Sequence, residues 1–301
     1  MRTYLALALL FAAACGPSGR DRPGGDDTGG TDGGGNNGSN TGSGNEDGCS
    51  DAAKLVYVVD ENYTFSQFDP STQTFHDLGQ LSCPASGGAT PFSMSVDRDA
   101  IAWVLYSDGE LFRVDTNGLA CTATSWHSTS GLAQFGMGFS TDSSGGSTDT
   151  LFVAGGASVN GANSSTLAKL DTSSMTATTV GTVTGWPELT GTGTAELWGW
   201  FPSDETGTTT PRVEKLDKTS GAPLQTFNLS SLTGAPSAWA FAFWGGDFWV
   251  FLAKDLDPST TVYQIDGTNG TIKGMTPTGT RLIVGAGVST CAPVVIGRTA
   301  P

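Results

Sequence analysis

One short pattern recurs five times along this chain, and its spacing restricts the fold more than any other feature. Each copy is an apolar run that ends in Asp and runs into a polar turn. The copies are Phe65-Ser66-Gln67-Phe68-Asp69, Leu111-Phe112-Arg113-Val114-Asp115, Leu167-Ala168-Lys169-Leu170-Asp171, Val213-Glu214-Lys215-Leu216-Asp217 and Val262-Tyr263-Gln264-Ile265-Asp266. The Asp-to-Asp steps are 46, 56, 46 and 49 residues, close to the roughly 40–50 residues of a four-stranded propeller blade. A second apolar run stands before each copy, at 55–59, 101–106, 151–154, 197–201 and 248–252, with turns such as Ser107-Asp108-Gly109 between the two.

From the second copy onward, a further β run precedes both, at 91–96, 134–140, 186–191 and 238–244. The first copy has none before it, but the chain end supplies one, Arg281 to Val288. The pattern therefore predicts an all-β chain, a five-bladed β-propeller of four-stranded blades whose first blade is closed by the C-terminal strand. Closure of this kind removes free sheet edges. Composition agrees, because the acids divide into 22 Asp and seven Glu beside six Lys and 43 Gly, a balance that favours turns and strands over helices. The recurrent Asp69, Asp115, Asp171, Asp217 and Asp266 read as turn-formers whose carboxylates accept backbone N–H bonds two residues on; none is read as a metal ligand.

The ends of the chain carry a different message. Met1 to Tyr4 hold one positive charge, Leu5 to Ala14 are apolar, and Cys15 follows. This is the layout of a secretory signal over 1–14, and ten residues are too few to span a bilayer, which needs about 20. Ala12-Ala13-Ala14-Cys15 resembles a lipobox, with Ala12 where Leu is usual, so Cys15 is expected to be lipidated; Ala12-x-Ala14 would also suit ordinary secretion. Residues 16–48 hold 13 Gly and no aromatic or branched aliphatic residue, so 15–48 is expected to be a lipidated Cys followed by a disordered tether. The propeller then occupies 49–301. With Cys15 lipidated, Cys49, Cys83, Cys121 and Cys291 remain, an even set in an oxidising compartment. Cys49 and Cys291 flank the point of ring closure and are expected to pair, leaving Cys83 to Cys121, although four cysteines allow three pairings.

Signs of chemistry are few. The two His, His76 and His127, stand apart, and no zinc motif, Gly-x-Ser-x-Gly elbow or dinucleotide fingerprint occurs. No metal or cofactor is expected. Gly191 and Gly193, and Gly285 and Gly287, read as strand glycines where backbones approach closely near an axis. Asp97 with Asp99 and Asp255 with Asp257 read as loop charges. Among eight Trp, Trp198 and Trp200 share one sheet face by period two, and Trp244 lies beside the turn Gly245-Gly246. Core packing is the ordinary role of such rings; the functional alternative is an aromatic binding platform at Trp198, Trp200 and Trp244. A formal net charge of −15 excludes nucleic acid as a natural partner.

The stretch Val213 to Gly221 resembles the strand-Asp-Thr-Gly turn of quinoprotein-like and YVTN-like propeller repeats. With the lipobox and tether, the chain resembles surface lipoproteins of myxobacteria and their relatives. Gly16 after Cys15 gives no strong inner-membrane retention signal, so a monomer in the bacterial cell envelope is expected, held to the outer membrane or cell surface by its lipid. The resemblance implies no quinone cofactor. The expected function is a noncatalytic binding or scaffold module for a protein or glycan. The alternative is a periplasmic or surface hydrolase or lyase using loop carboxylates at the propeller axis.

Overall fold

The computed structural model describes residues 49–128, 131–159 and 163–295. The expected signal segment, Cys15 and the expected tether lie outside the described residues. Among the described residues, twenty strands form five four-stranded antiparallel sheets, and together these make a five-bladed β-propeller.

Blade 1 comprises β1 (Val56–Asp60), β2 (Thr64–Asp69) and β3 (Thr74–Gln80), with β20 (Ile283–Gly287) as its inner strand. Blade 2 runs outward from β4 (Pro91–Val96) through β5 (Ile101–Tyr106) and β6 (Leu111–Asp115) to β7 (Cys121–Ala123). Blade 3 is β8 (Gln134–Thr141), β9 (Asp149–Gly156), β10 (Ser164–Asp171) and β11 (Thr176–Thr184). Blade 4 is β12 (Glu188–Gly191), β13 (Leu197–Phe201), β14 (Arg212–Leu216) and β15 (Pro223–Asn228). Blade 5 is β16 (Pro236–Trp244), β17 (Asp247–Lys254), β18 (Thr261–Asp266) and β19 (Ile272–Pro277). The inner strands contact in a closed ring, β20 to β4 to β8 to β12 to β16 and back to β20.

Each inner strand has no sheet partner on its axial side, so its inward N–H groups need other acceptors. Small polar side chains of neighbouring blades supply them. Ser95 Oγ accepts from the Phe139 N–H at 3.3 Å, Thr190 Oγ1 from the Phe243 N–H at 3.2 Å, and Thr260 Oγ1 from the Ile283 N–H at 2.8 Å. Backbones must come close for this. A Cβ on Gly136 would collide with the Pro187 carbonyl, and one on Gly191 with the Phe139 carbonyl.

Between blades the core is apolar and aromatic. Phe68 of blade 1 meets Trp249 and Phe251 of blade 5 edge-on, at 5.3 and 5.4 Å. The recurrent Asp sits in the turn that links the two outer strands of each blade, and in all five it accepts the N–H two residues on, at 2.8–3.0 Å. The residue four after the Asp then takes a left-handed conformation: Gln73, Leu119, Met175, Gly221 and Gly270, with φ from 53° to 78°. Each returns its N–H to the Asp carbonyl at 2.7–2.9 Å.

Cys49 is bonded to Cys291 and Cys83 to Cys121. The first bond ties the segment entering β1 to the segment leaving β20.

Candidate functional site

The two ends of the axis differ. One end is where the inner strands finish. There the segment after β20 runs across the ring. Ser289 Oγ donates to the Ala53 carbonyl at 2.6 Å, and Thr290 Oγ1 donates to Asp149 Oδ2 of blade 3 at 2.6 Å. The Gly245 N–H of blade 5 donates to the Pro293 carbonyl at 2.7 Å. Arg98 Nε reaches Asp149 Oδ2 from blade 2 at 3.1 Å, and Arg98 Nη2 donates to the Gly146 carbonyl at 2.8 Å. This end is closed by chain.

The other end is where the inner strands begin, and it holds a cavity of about 190 Å³. Its lining comes from blade 1 (Glu61, Val284), blade 2 (Thr90, Pro91, Phe92), blade 4 (Glu188) and blade 5 (Ser237, Ala238, Trp239). Glu61 and Ser237 are exposed, whereas Phe92, Val284 and Trp239 are half-buried.

Glu188 is the chemically distinctive member. It opens β12 and is only 3% exposed. Its carboxyl extends from blade 4 to accept from Ser93 Oγ of blade 2 at 2.8 Å, and it also accepts from the Met137 N–H of blade 3. One side chain thus bridges three inner strands. Burial pushes its pKa well above the ordinary carboxylate range, and the bonds from Ser93 and Met137 only partly offset that.

Trp239 and Ser237 also line a second cavity, of about 350 Å³, with Trp186, Ser203, Asp204 and Arg212. Arg212 is already committed there. Its Nε donates to Glu214 at 2.7 Å, its Nη2 to the Thr184 carbonyl at 2.7 Å, and its guanidinium lies 4.3 Å from the centre of the Phe201 ring. The indole nitrogens of Trp186 and Trp239 are buried without a hydrogen-bond partner.

The residues singled out for a platform are not together at this site. Trp198 and Trp200 are 3% and 0% exposed and lie in the core between blades 4 and 5. Trp198 stacks on Phe227, and its indole N–H donates to Glu196 Oε2 at 3.1 Å. Neither offers a ring to solvent, so the platform reading is corrected for both. The reason is geometric: a blade is covered on both faces by its neighbours, so an aromatic pair on one face is interior. Trp244 is half-buried at the closed end. Its N–H donates to the Lys54 carbonyl at 2.9 Å, and it lines a cavity of about 330 Å³ with Asp69 and His76. His127 is exposed.

Asp97 is a structural acceptor, taking the Trp103 indole N–H at 2.9 Å and the N–H groups of Asp99 and Ile101 at 3.0 Å. Asp257 accepts from the Lys254 N–H at 2.9 Å. Glu188 and Trp239 escaped the sequence reading. The available signal was a Glu, one of only seven, inside an inner-strand run.

No protein-family model matches this chain, and no curated protein matches it. Among solved structures it is similar to a chain in the crystal structure of a nidogen/laminin complex, at 12% identity and a TM-score of 0.47, covering 80% of this chain and 99% of that one. It is similar to a protein of unknown function from Bacteroides caccae, at 13% identity and a TM-score of 0.38, covering 74% and 72%. A catalytically inactive virginiamycin B lyase from Staphylococcus aureus with quinupristin matches at 13% identity and a TM-score of 0.39, covering 75% and 71%.

Proposed function

We propose that this chain is a lipid-anchored envelope protein that presents its propeller as a noncatalytic binding module, with the open end of the axis as the recognition site. The observation that carries the proposal is the axial cavity itself. It has half-buried aromatic and aliphatic walls, an exposed polar rim and one buried carboxyl held by two other blades. Concave, largely apolar sites with a few fixed polar groups are the usual form of small-ligand sites. The lipobox-like segment at Cys15, the Gly-rich stretch to residue 48 and the resemblance to surface lipoproteins support an anchor and a tether.

Two measurements test this reading. Mass spectrometry of the mature N-terminus is expected to find Cys15 diacylated; an unmodified Cys15 contradicts the anchor. The full-length chain, recovered from its native envelope, is expected to retain a bound compound chemically unchanged and to lose it when Trp239 is replaced by Ala. Equal retention by the wild type and Trp239→Ala contradicts the site.

A hydrolase or lyase reading has one observation in its favour. Glu61 and Glu188 line the same cavity, one exposed and one buried, and acid–base pairs are built from carboxyls in contrasting environments. Conversion of the retained compound, lost in Glu61→Gln, would favour catalysis over binding.

A further inference from the structure

We infer that the axial cavity receives an organic ammonium group, the cationic head of a small molecule or of a longer ligand. This rests on the proposal that the open end of the axis is the recognition site, and it names the chemistry of what enters. Three observations converge on it.

The first is the wall. Phe92 and Trp239 come from different blades and both line the cavity half-buried. Aromatic faces attract cations through the ring quadrupole, and the attraction strengthens where water is excluded. The second is the charge of the lining. Both ionisable groups in it are carboxyls, Glu188 within and Glu61 at the exposed rim, and no Lys, Arg or His is among the lining residues. An anionic ligand would meet only like charge or a buried acid. The third is the whole-chain field, since a formal net charge of −15 draws cations towards the molecule. The volume, about 190 Å³, suits a compact ammonium head.

The site also resolves the difficulty of Glu188. An ionised carboxylate this deep is costly unless a counter-charge accompanies it. An arriving ammonium supplies that charge. The Glu188 proton leaves to solvent, the ammonium takes its place, and the net charge inside the cavity is unchanged. Ser93 Oγ and the Met137 N–H continue to donate to the carboxylate, and Glu61 is the other titratable group lining the cavity. An ammonium without N–H donors is sufficient, because Glu188 already accepts from two protein donors.

Calorimetric titration of the full-length chain with choline, and with its neutral analogue in which carbon replaces the quaternary nitrogen, tests the inference. Choline is expected to bind about tenfold or more tightly than the neutral analogue. Titration in two buffers of different ionisation enthalpy, at mildly acidic pH, is expected to show proton release on choline binding. Glu188→Gln keeps the shape and an acceptor for Ser93, and it is expected to abolish the proton release and to reduce, not remove, the preference for choline, since the aromatic walls and Glu61 remain. If Glu188→Gln does not fold, the proton release of the wild type still decides. Equal binding of the two probes without proton release overturns the ammonium assignment and leaves a binding cavity in place. Binding of neither probe also overturns it, while the native-envelope retention experiment judges the broader reading separately.

Discussion

A carboxyl buried as deeply as Glu188 holds its proton more tightly in the folded chain than in the unfolded one. Its contribution to stability is therefore complete below the ordinary Glu value of 4.5 and is lost as pH rises through the raised folded value. The loss has a slope of up to about 1.4 kcal/mol per pH unit. The turn carboxylates act in the opposite sense. Ser71 hydroxyl and amide bonds lower Asp69, and Thr219 bonds lower Asp217, so what they contribute is present above the usual Asp range and lost as pH falls. Glu188→Gln is thus expected to flatten the decline of stability from about pH 5 upward, read as denaturant midpoints across pH. An unchanged decline in the variant would show that Glu188 does not hold the proton. The turn Asp residues were legible in the sequence because their bonds are local, two residues long. Glu188 was not, because its partners Ser93 and Met137 come from other blades and only the closed ring brings them near.

Among the elements, the turn between the two outer strands does more than reverse the chain. Its left-handed residue touches the neighbouring blade. The Gly79 position approaches Leu119, the Gly270 position approaches Phe227, and Gln73 Nε2 reaches Gln264 Oε1 at 3.3 Å. Gly270→Ala would place a Cβ at φ +73°, 2.6 Å from the Phe227 Cβ. It is expected to destabilise by about 1–3 kcal/mol. Gly274→Ala meets nothing within 4 Å and is expected to stay within about 0.5 kcal/mol of wild type. Equal effects in equilibrium unfolding would contradict the inter-blade contact. The strands were readable from their apolar periodicity, and β4, β5 and β13 fall on the expected residues. The turn geometry was readable only where Gly marks it, at Gly221 and Gly270; Gln73, Leu119 and Met175 carry the same conformation without that signal. Trp198 and Trp200 were misplaced for a related reason. Period two assigns a face, and in a propeller neither face of a blade is free.

At the scale of the whole molecule, ring closure joins the first blade to the last strand, and the Cys49–Cys291 bond spans 242 residues against 38 for Cys83–Cys121. Closing the longer loop restricts the unfolded chain more. Replacing Cys49 and Cys291 with Ser is expected to cost about 1.5 kcal/mol more than the same change at Cys83 and Cys121, read by denaturant unfolding. A smaller loss for the long loop would contradict closure as its role. The same segment also sets the polarity of the molecule, because it crosses one end of the axis and leaves the cavity at the other, where we propose that ligand enters. Nuclear magnetic resonance of the full-length chain titrated with choline tests that division. Shifts are expected only at the open end, at the amides of Glu61, Phe92, Glu188 and Ser237 and the indole N–H of Trp239, with Asp149, Ser289 and Thr290 unmoved. Shifts at the closed end, or none at the open one, would contradict it.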